Sequence, residues 1–483
     1  MKILHFFTAL WCILVLDSFE KSFCQVIEYE TKITISDDGR KTTERSILLQ
    51  VNDKQENWMS HIELSHNPQQ DISFNYASII DSNGSTIKKL RKKELVTRND
   101  LSYQAFYQDD LITEFDLYWN QYPYRVKYSY TLTEEEYLFI ARWTPILYSS
   151  VPTLQGRLEV DLPLSYKVSI NSSGDIYQKE AIRDNQKIFT WTSSDTSLPK
   201  SELYSPPSQS LLPSVQVVPY QFKYGVSGDM DSWSSFGEWL NKLNEGTDDL
   251  PYSEQLIINK LIDGVEDKEQ IIKTLYYHLQ DHTKYVNVAI DVGGLQSYPA
   301  SYVCENKYGD CKALTTYMKA MLKNVGIESY YTIIRAGENE AEIDLKIPGQ
   351  QFNHVILMVP MESDTVWLEN TSNSLPFNYL GTFTQNRHAL SVNGDKSMIV
   401  KTPALLSKDV LLERDFNFKL SPNNTAQTSI NLTLRGLEFE NFRYFMKGKN
   451  EKEQQSKILE HLGVYRFVIE NWESSDFHRD SCF

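Results

Sequence analysis

The chain has 483 residues, 41% of them hydrophobic and 12% aromatic, a composition that folds rather than staying disordered. Roughly two or three domains fit this length better than one. The formal charge is −16, from 48 basic against 64 acidic side chains, and this excludes the basic footprint of a nucleic-acid binder.

Residues 1–24 read as a secretory signal. Lys2 opens it, Ile3 to Leu16 is mostly apolar, and Ser22 and Cys24 stand at −3 and −1 for cleavage before Gln25. The apolar run is short for a membrane span, and no later stretch has the length and hydrophobicity of one. An exported protein, periplasmic or associated with the cell envelope, is expected. Phe23 is a poor residue ahead of a lipidated Cys24, so cleavage is preferred to a lipid anchor. Cys12 and Cys24 leave with the signal. Cys304, Cys311 and Cys482 remain, an odd set that leaves at least one thiol unpaired in the monomer and makes no disulfide scaffold.

Residues 25–225 read as an antiparallel β-sandwich. Gln25–Ser36 and Arg45–Val51 flank the turn signal Asp37-Asp38-Gly39. Tyr124–Leu132 alternates, with Val126, Tyr128, Tyr130 and Leu132 on one face and Arg125, Lys127, Ser129 and Thr131 on the other. Arg157–Leu162, Tyr166–Ile170 and Lys187–Thr192 continue the series of short strands. Trp119, Trp143 and Trp191 are expected in the core rather than on a ligand surface. Residues 196–225, rich in Pro and Ser, read as an extended connector closing this domain.

Residues 226–408 change to helix and then to mixed helix and strand. Ser232–Leu243, Ser253–Ile262 and Lys268–His282 carry apolar stripes at helical spacing. His278 and His282 lie four apart on the last of these, on a solvated or partly buried face rather than in a metal site. Gly293-Gly294 marks a tight turn; the Walker spacing is absent, so it is no phosphate loop. In Tyr308–Gly326, Leu314, Tyr317, Met318, Met321, Leu322 and Val325 recur at helical spacing, with Asp310 as N-cap and Gly326 as stop. Cys311 then falls in the first turn, where unpaired N–H groups and the helix dipole favour a thiolate. Glu328–Arg335, Phe352–Pro360 and Thr365–Leu368 follow as strands. His354 shares a face with Phe352, Ile356 and Met358, and Glu369, Asn370 and Thr371 close the third strand. Residues 409–483 run from β (Val410–Leu420, Thr428–Leu434) to a charged helix (Phe442–Leu462) and read as a partial domain.

Cysteine at a helix mouth, histidine on a strand 43 residues later and a carboxylate after the next strand, 15 residues further, fit a Cys–His–acid triad. The thiolate attacks an acyl carbon, the imidazole takes up and returns a proton, and the third group fixes the ring. Glu369 is the preferred third member and Asn370 the alternative. Gln296 or the backbone near Cys311 is a candidate oxyanion donor. No EF-hand-like acidic loop or zinc spacing is present, so neither metal nor cofactor is expected.

At these residues the chain resembles the transglutaminase-like superfamily, which shares its core with papain-type cysteine enzymes. YGDCKALTTYMKAMLKNVGIESYYTIIR is similar to the family's Cys helix and first core strand, FNHVILMV to its His strand and VWLENTS to its acid strand. YVNVAIDVGGLQSYPASYV is similar to the stretch before the Cys in a bacterial subgroup, where an exported β-sandwich domain of unknown function precedes the core. The resemblance implies a multidomain α+β protein: β-sandwich, transglutaminase-like core, then a short β/α segment. It implies Cys311 as nucleophile, His354 as base and acid, and Glu369 as orienting group. The family's usual Asp-Pro-Thr setting is replaced here by Glu369-Asn370-Thr371. Acyl transfer on peptide or protein amides is the expected activity, with hydrolysis, crosslinking and amidation all open. The alternative is a catalytically idle core that serves as a scaffold or binds glycan or protein at the cell envelope.

Overall fold

The computed structural model describes residues 25–100, 107–108, 110–198, 202–289, 294–422, 425–463 and 467–473. The signal segment with Cys12 and Cys24, and Cys482, lie outside them.

The N-terminal region is built on an eight-stranded sheet. In spatial order its strands are Tyr177–Arg183, Gln186–Thr196, Thr153–Pro163, Gln25–Ile35, Lys41–Val51, Tyr124–Glu134, Asp71–Ile80 and Thr86–Lys89. All neighbours are antiparallel except Gln25–Ile35 and Thr153–Pro163, which run parallel from Val26 beside Thr153 to Thr34 beside Asp161. The expected purely antiparallel sandwich therefore contains one parallel seam, because long connections intervene between these two strands. Two three-stranded sheets accompany it: His61–His66 with Leu111–Asp116 and Val96–Asn99, and Ala141–Trp143 with Ser214–Pro219 and Val168–Ser173. Alternation explains the burial: Val126, Tyr128 and Tyr130 enter the core while Arg125 stays exposed. Trp143 and Trp191 are buried in the same core, and Trp119 packs against it half-buried.

The Pro- and Ser-rich stretch departs from the expected connector. Ser214–Pro219 is the central strand of its sheet, hydrogen-bonded on both sides, with Val215, Val217 and Val218 buried. The three valines, Val215, Val217 and Val218, outweigh the flanking Pro and Ser. A hairpin of Gln221–Tyr224 and Val226–Asp229 then leads to the helices.

The second region packs helices on a five-stranded antiparallel sheet in the order Thr365–Leu368, His354–Pro360, Tyr330–Ile334, His388–Val392, Met398–Lys401. The helix Cys311–Asn324 buries Leu314, Tyr317, Met318, Met321 and Leu322 against Leu357, Val359 and Leu368. The helix Trp233–Leu243 buries Phe236, Trp239 and Leu240 against Tyr331, Ile333, Val355 and Leu390 of the same sheet. Ile334, Ile356 and Trp367 form a smaller cluster with Leu380 and Ala389. Phe352 precedes its strand and joins the cluster of Val355, not that of Ile356 and Met358, so the expected shared face begins only at His354.

After residue 409 come a two-stranded ribbon, Leu411–Leu420 with Ala426–Arg435, and the helices Leu437–Met446 and Glu451–Leu462. The ribbon's strands are largely exposed. Among the described residues no helix is long and apolar enough to cross a membrane.

Candidate active site

Cys311 is the first residue of a 14-residue helix. The Asp310 side chain caps it, accepting the Ala313 N–H at 2.9 Å, and pairs with Lys312. Leu314 donates its N–H to the Asp310 carbonyl, so the N–H groups of Cys311 and Lys312 precede the first helical hydrogen bond and form the positive end of the dipole. The approach is fixed by a short parallel pairing of Tyr308–Gly309 with Lys284–Tyr285, with Val286 donating to the Gly309 carbonyl. Gly309 is required by close packing: a Cβ there would lie 2.9 Å from that of Ala313. Cys311 is half-buried, and both Cys311 and Cys304 are free thiols, so the two are not bridged.

His354 begins its strand opposite Ile334. Its Nε2 lies 3.1 and 3.0 Å from the two oxygens of Glu369, which leaves Nδ1 for the thiol. Burial alone would push the imidazole down, but the Glu369 charge, the hydrogen bond with Cys311 and the hydrogen bond with Glu369 raise it to about 10. Burial opposes the charge on Glu369 as well. The facing His354 and the bonds from Thr371 nonetheless hold its carboxyl below the usual range.

Glu369 follows the strand Thr365–Leu368 directly. Thr371 donates to Oε1 through its hydroxyl at 2.6 Å and its N–H at 3.2 Å, and the Tyr276 hydroxyl holds the Glu369 carbonyl at 3.0 Å. Asn370 turns the other way. Its Nδ2 donates to Thr315 of the cysteine helix at 3.0 Å, and its buried Oδ1 has no partner among the described residues. The imidazole therefore meets Glu369 and not Asn370. The Gln296 amide donates to the Leu243 carbonyl at 2.9 Å, which ties its loop to a helix end.

Phe383 stands edge-on to the His354 ring, with centroids 5.3 Å apart. Neither it nor Thr371 was nominated from sequence. Thr371 had a signal, a hydroxyl two residues beyond a carboxylate, whereas Phe383 reaches the ring from a separate turn. Cys311 and His354 open on a cleft of about 190 Å³ walled mainly by Phe236, Trp239, Leu240, Tyr331, Ile333 and Phe352.

Elsewhere, His61, Glu63 and Glu114 bring ligand atoms within 4.8 Å of one another. The Arg98 guanidinium already bonds both carboxylates, at 2.7 and 2.9 Å. The rings of His278 and His282 lie 4.2 Å apart and tilted by 31°, and burial pushes His278 below its usual value.

Residues 37–200 match a domain of unknown function, DUF3857, and residues 256–370 match the Transglutaminase-like superfamily. No curated protein matches the chain. A solved candidate protease from Parabacteroides distasonis ATCC 8503 has the same fold, at 13% identity and a TM-score of 0.61, over 79% of this chain and 72% of its own. A candidate cysteine protease from Cytophaga hutchinsonii aligns at 8% identity and a TM-score of 0.23, over 59% of this chain and 86% of its own. Aminopeptidase A from Legionella pneumophila aligns at 13% identity and a TM-score of 0.24, over 41% and 21%. These two superpositions are too loose to bear on the fold.

Proposed function

From a chain whose residues 256–370 form a transglutaminase-like superfamily domain behind a DUF3857 domain, we propose a papain-like cysteine enzyme. It transfers the acyl group of a peptide or protein amide through a thioester on Cys311. The observation that carries this reading is the buried His354, held through Nε2 by both Glu369 oxygens while its other side serves the thiol at the helix mouth.

In this reading the Cys311 thiolate attacks the amide carbon, and the first-turn N–H groups receive the developing oxyanion. The protonated His354 gives its Nδ1 proton to the leaving amine as the C–N bond breaks, leaving a thioester. Water or an amine then attacks the thioester and gives its proton back to His354. The C–S bond breaks and the thiolate returns. Water yields a carboxylic acid and an amine yields a new amide. Glu369 keeps the ring in register and stabilises its charge throughout. The signal-like residues 1–24 support a substrate met outside the cytoplasm.

Alkylation by iodoacetamide tests the site, with Cys304 as internal comparison because burial pushes its thiol up to about 11. At pH 6, Cys311 is expected to react faster than Cys304, and His354→Ala is expected to remove that advantage, as read by mass spectrometry. Equal rates at the two thiols, unchanged in His354→Ala, would replace this reading with the idle scaffold.

A further inference from the structure

We propose that the cleft beside Cys311 is the subsite for the acyl donor's side chain, and that it takes one large apolar side chain, aromatic or branched. The inference rests on the cysteine-enzyme reading and adds the substrate class.

The cleft is continuous with the nucleophile, since Cys311 and His354 both line it. Its walls come from the helix Trp233–Leu243, the strand Tyr330–Ile334 and the segment leading into the histidine strand, and Phe236, Trp239 and Leu240 are almost fully buried there. Most polar groups in these walls are already engaged. Trp239 Nε1 donates to the Tyr224 carbonyl at 3.2 Å. Asn353 holds the Ala336 N–H and carbonyl at 2.7 and 2.9 Å. Gln350 Nε2 donates to the Phe352 carbonyl at 3.1 Å, and Lys312 is paired with Asp310. The Tyr331 hydroxyl and the Gln350 carboxamide oxygen are the exceptions, without a hydrogen-bond partner among the described residues, and Tyr331 is itself buried at 6% exposure.

These facts set the chemistry. A cationic side chain would enter without a counter-charge, a carboxylate would meet only Lys312 and His354, which are already paired with Asp310 and Glu369, and either would lose its hydration. A glutamine carboxamide brings two donors and an acceptor with two lone pairs, against the Tyr331 hydroxyl and the Gln350 oxygen alone. An apolar side chain loses nothing on entry, and a tyrosyl group finds its one partner in Tyr331. Size agrees. A cavity of about 150 Å³ lined by Leu, Ile and Phe accommodates benzene, so about 190 Å³ holds one benzyl or isobutyl group. Whole drug-sized ligands occupy about 300 Å³ or more.

The test uses the full chain and peptidyl chloromethyl ketones that differ only in the side chain next to the reactive carbon: Phe, Leu, Tyr, Gly, Gln, Glu and Lys. The readout is the second-order rate of Cys311 modification by mass spectrometry. The Phe, Leu and Tyr reagents are expected to react at least about tenfold faster than the others, the scale on which an apolar pocket discriminates. Leu295→Trp, at the half-buried rim, is expected to close the gap between the Phe and Gly reagents. Tyr331→Phe, which keeps the shape, is expected to lower the Tyr rate relative to Phe. Equal rates across the series, or faster Gln, Glu or Lys reagents, would overturn the subsite while leaving the cysteine enzyme standing. A Cys311 that no peptidyl reagent modifies faster than iodoacetamide does would overturn both.

Discussion

His354 and Glu369 are 8% and 3% exposed, and each is nonetheless pushed toward its charged form by the other. Removing one member of such a buried pair costs about 3–5 kcal/mol, because the remaining charge is stranded. The pH dependence follows from the directions of the shifts. His354 stands at about 10 against 6.5 for the free side chain, so its contribution to stability is complete below pH 6.5 and fades as pH climbs toward 10. Glu369 lies below its ordinary 4.5, so its contribution is present above 4.5 and is lost as pH falls through the depressed value. Thermal unfolding of wild type and Glu369→Gln should therefore differ most between about pH 4.5 and 6.5 and should converge toward pH 10. A difference that stays constant across that range would mean that the pair is not charged in the fold. At this scale the sequence was informative where chemistry and order coincide. A cysteine behind an N-cap, a histidine opening a strand and an acid closing the next are each legible as residue types at element ends. Whether Glu369 or Asn370 faces the ring was not legible, since adjacent residues leaving a strand point to opposite sides and the strand's last residue decides which. The bond from Gln296 to the Leu243 carbonyl was not legible either, because closeness in sequence to the cysteine says nothing about a helix end 53 residues away.

Elements far apart in the chain hold the ring from its other side. The turn Gly381–Thr384 carries Phe383 against His354, and that turn is held by Glu440 of the helix Leu437–Met446. The Glu440 carboxylate accepts the Tyr379 hydroxyl at 2.6 Å, the Thr382 N–H at 3.0 Å and the Thr382 hydroxyl at 2.9 Å. Charge-assisted hydrogen bonds of this kind contribute about 1.5–3 kcal/mol each when partly buried. Glu440→Ala leaves the Thr382 N–H without its acceptor, and exchange of that amide is expected to accelerate about 10–150-fold, the factor set by the loss of one such bond. Unchanged exchange at Thr382, measured by NMR or mass spectrometry, would show that the C-terminal helices do not brace this turn. The helices of the second region were readable because their stripes are long: Lys268–His282 has the expected bounds, and Asp267 caps it. His388–Val392 and Met398–Lys401 were missed. Each is five residues or fewer, and only pairing with the neighbouring strand makes either one extended.

One apolar cluster crosses between the two regions. Leu138, Val218 and Phe222 come from a loop, a strand and the hairpin on the N-terminal side, whereas Phe236, Trp239, Tyr331, Ile333 and Val355 belong to the helix and sheet around the cysteine. No sequence periodicity announces such a cluster, because each residue obeys the pattern of its own element and the sharing arises only when the elements meet. Phe222 is central to it: its ring stands edge-on to Trp239 at 5.2 Å, and Trp239 walls the cleft. Truncating a buried phenylalanine costs about 3–5 kcal/mol, through lost transfer energy and the cavity left behind. Phe222 lies outside residues 256–370, so Phe222→Ala discriminates between two independent units and one coupled body. If the cluster couples them, the amides of Tyr330–Ile334 lose hydrogen-exchange protection together with those of the Gln221–Tyr224 hairpin, although no residue of the sheet has been altered. Protection lost in the hairpin alone would mean that the region around the cysteine folds without its neighbour's help. In the coupled case the N-terminal strands supply part of the support behind the cleft wall. The geometry next to Cys311 would then depend on a region that contributes none of the three candidate catalytic groups.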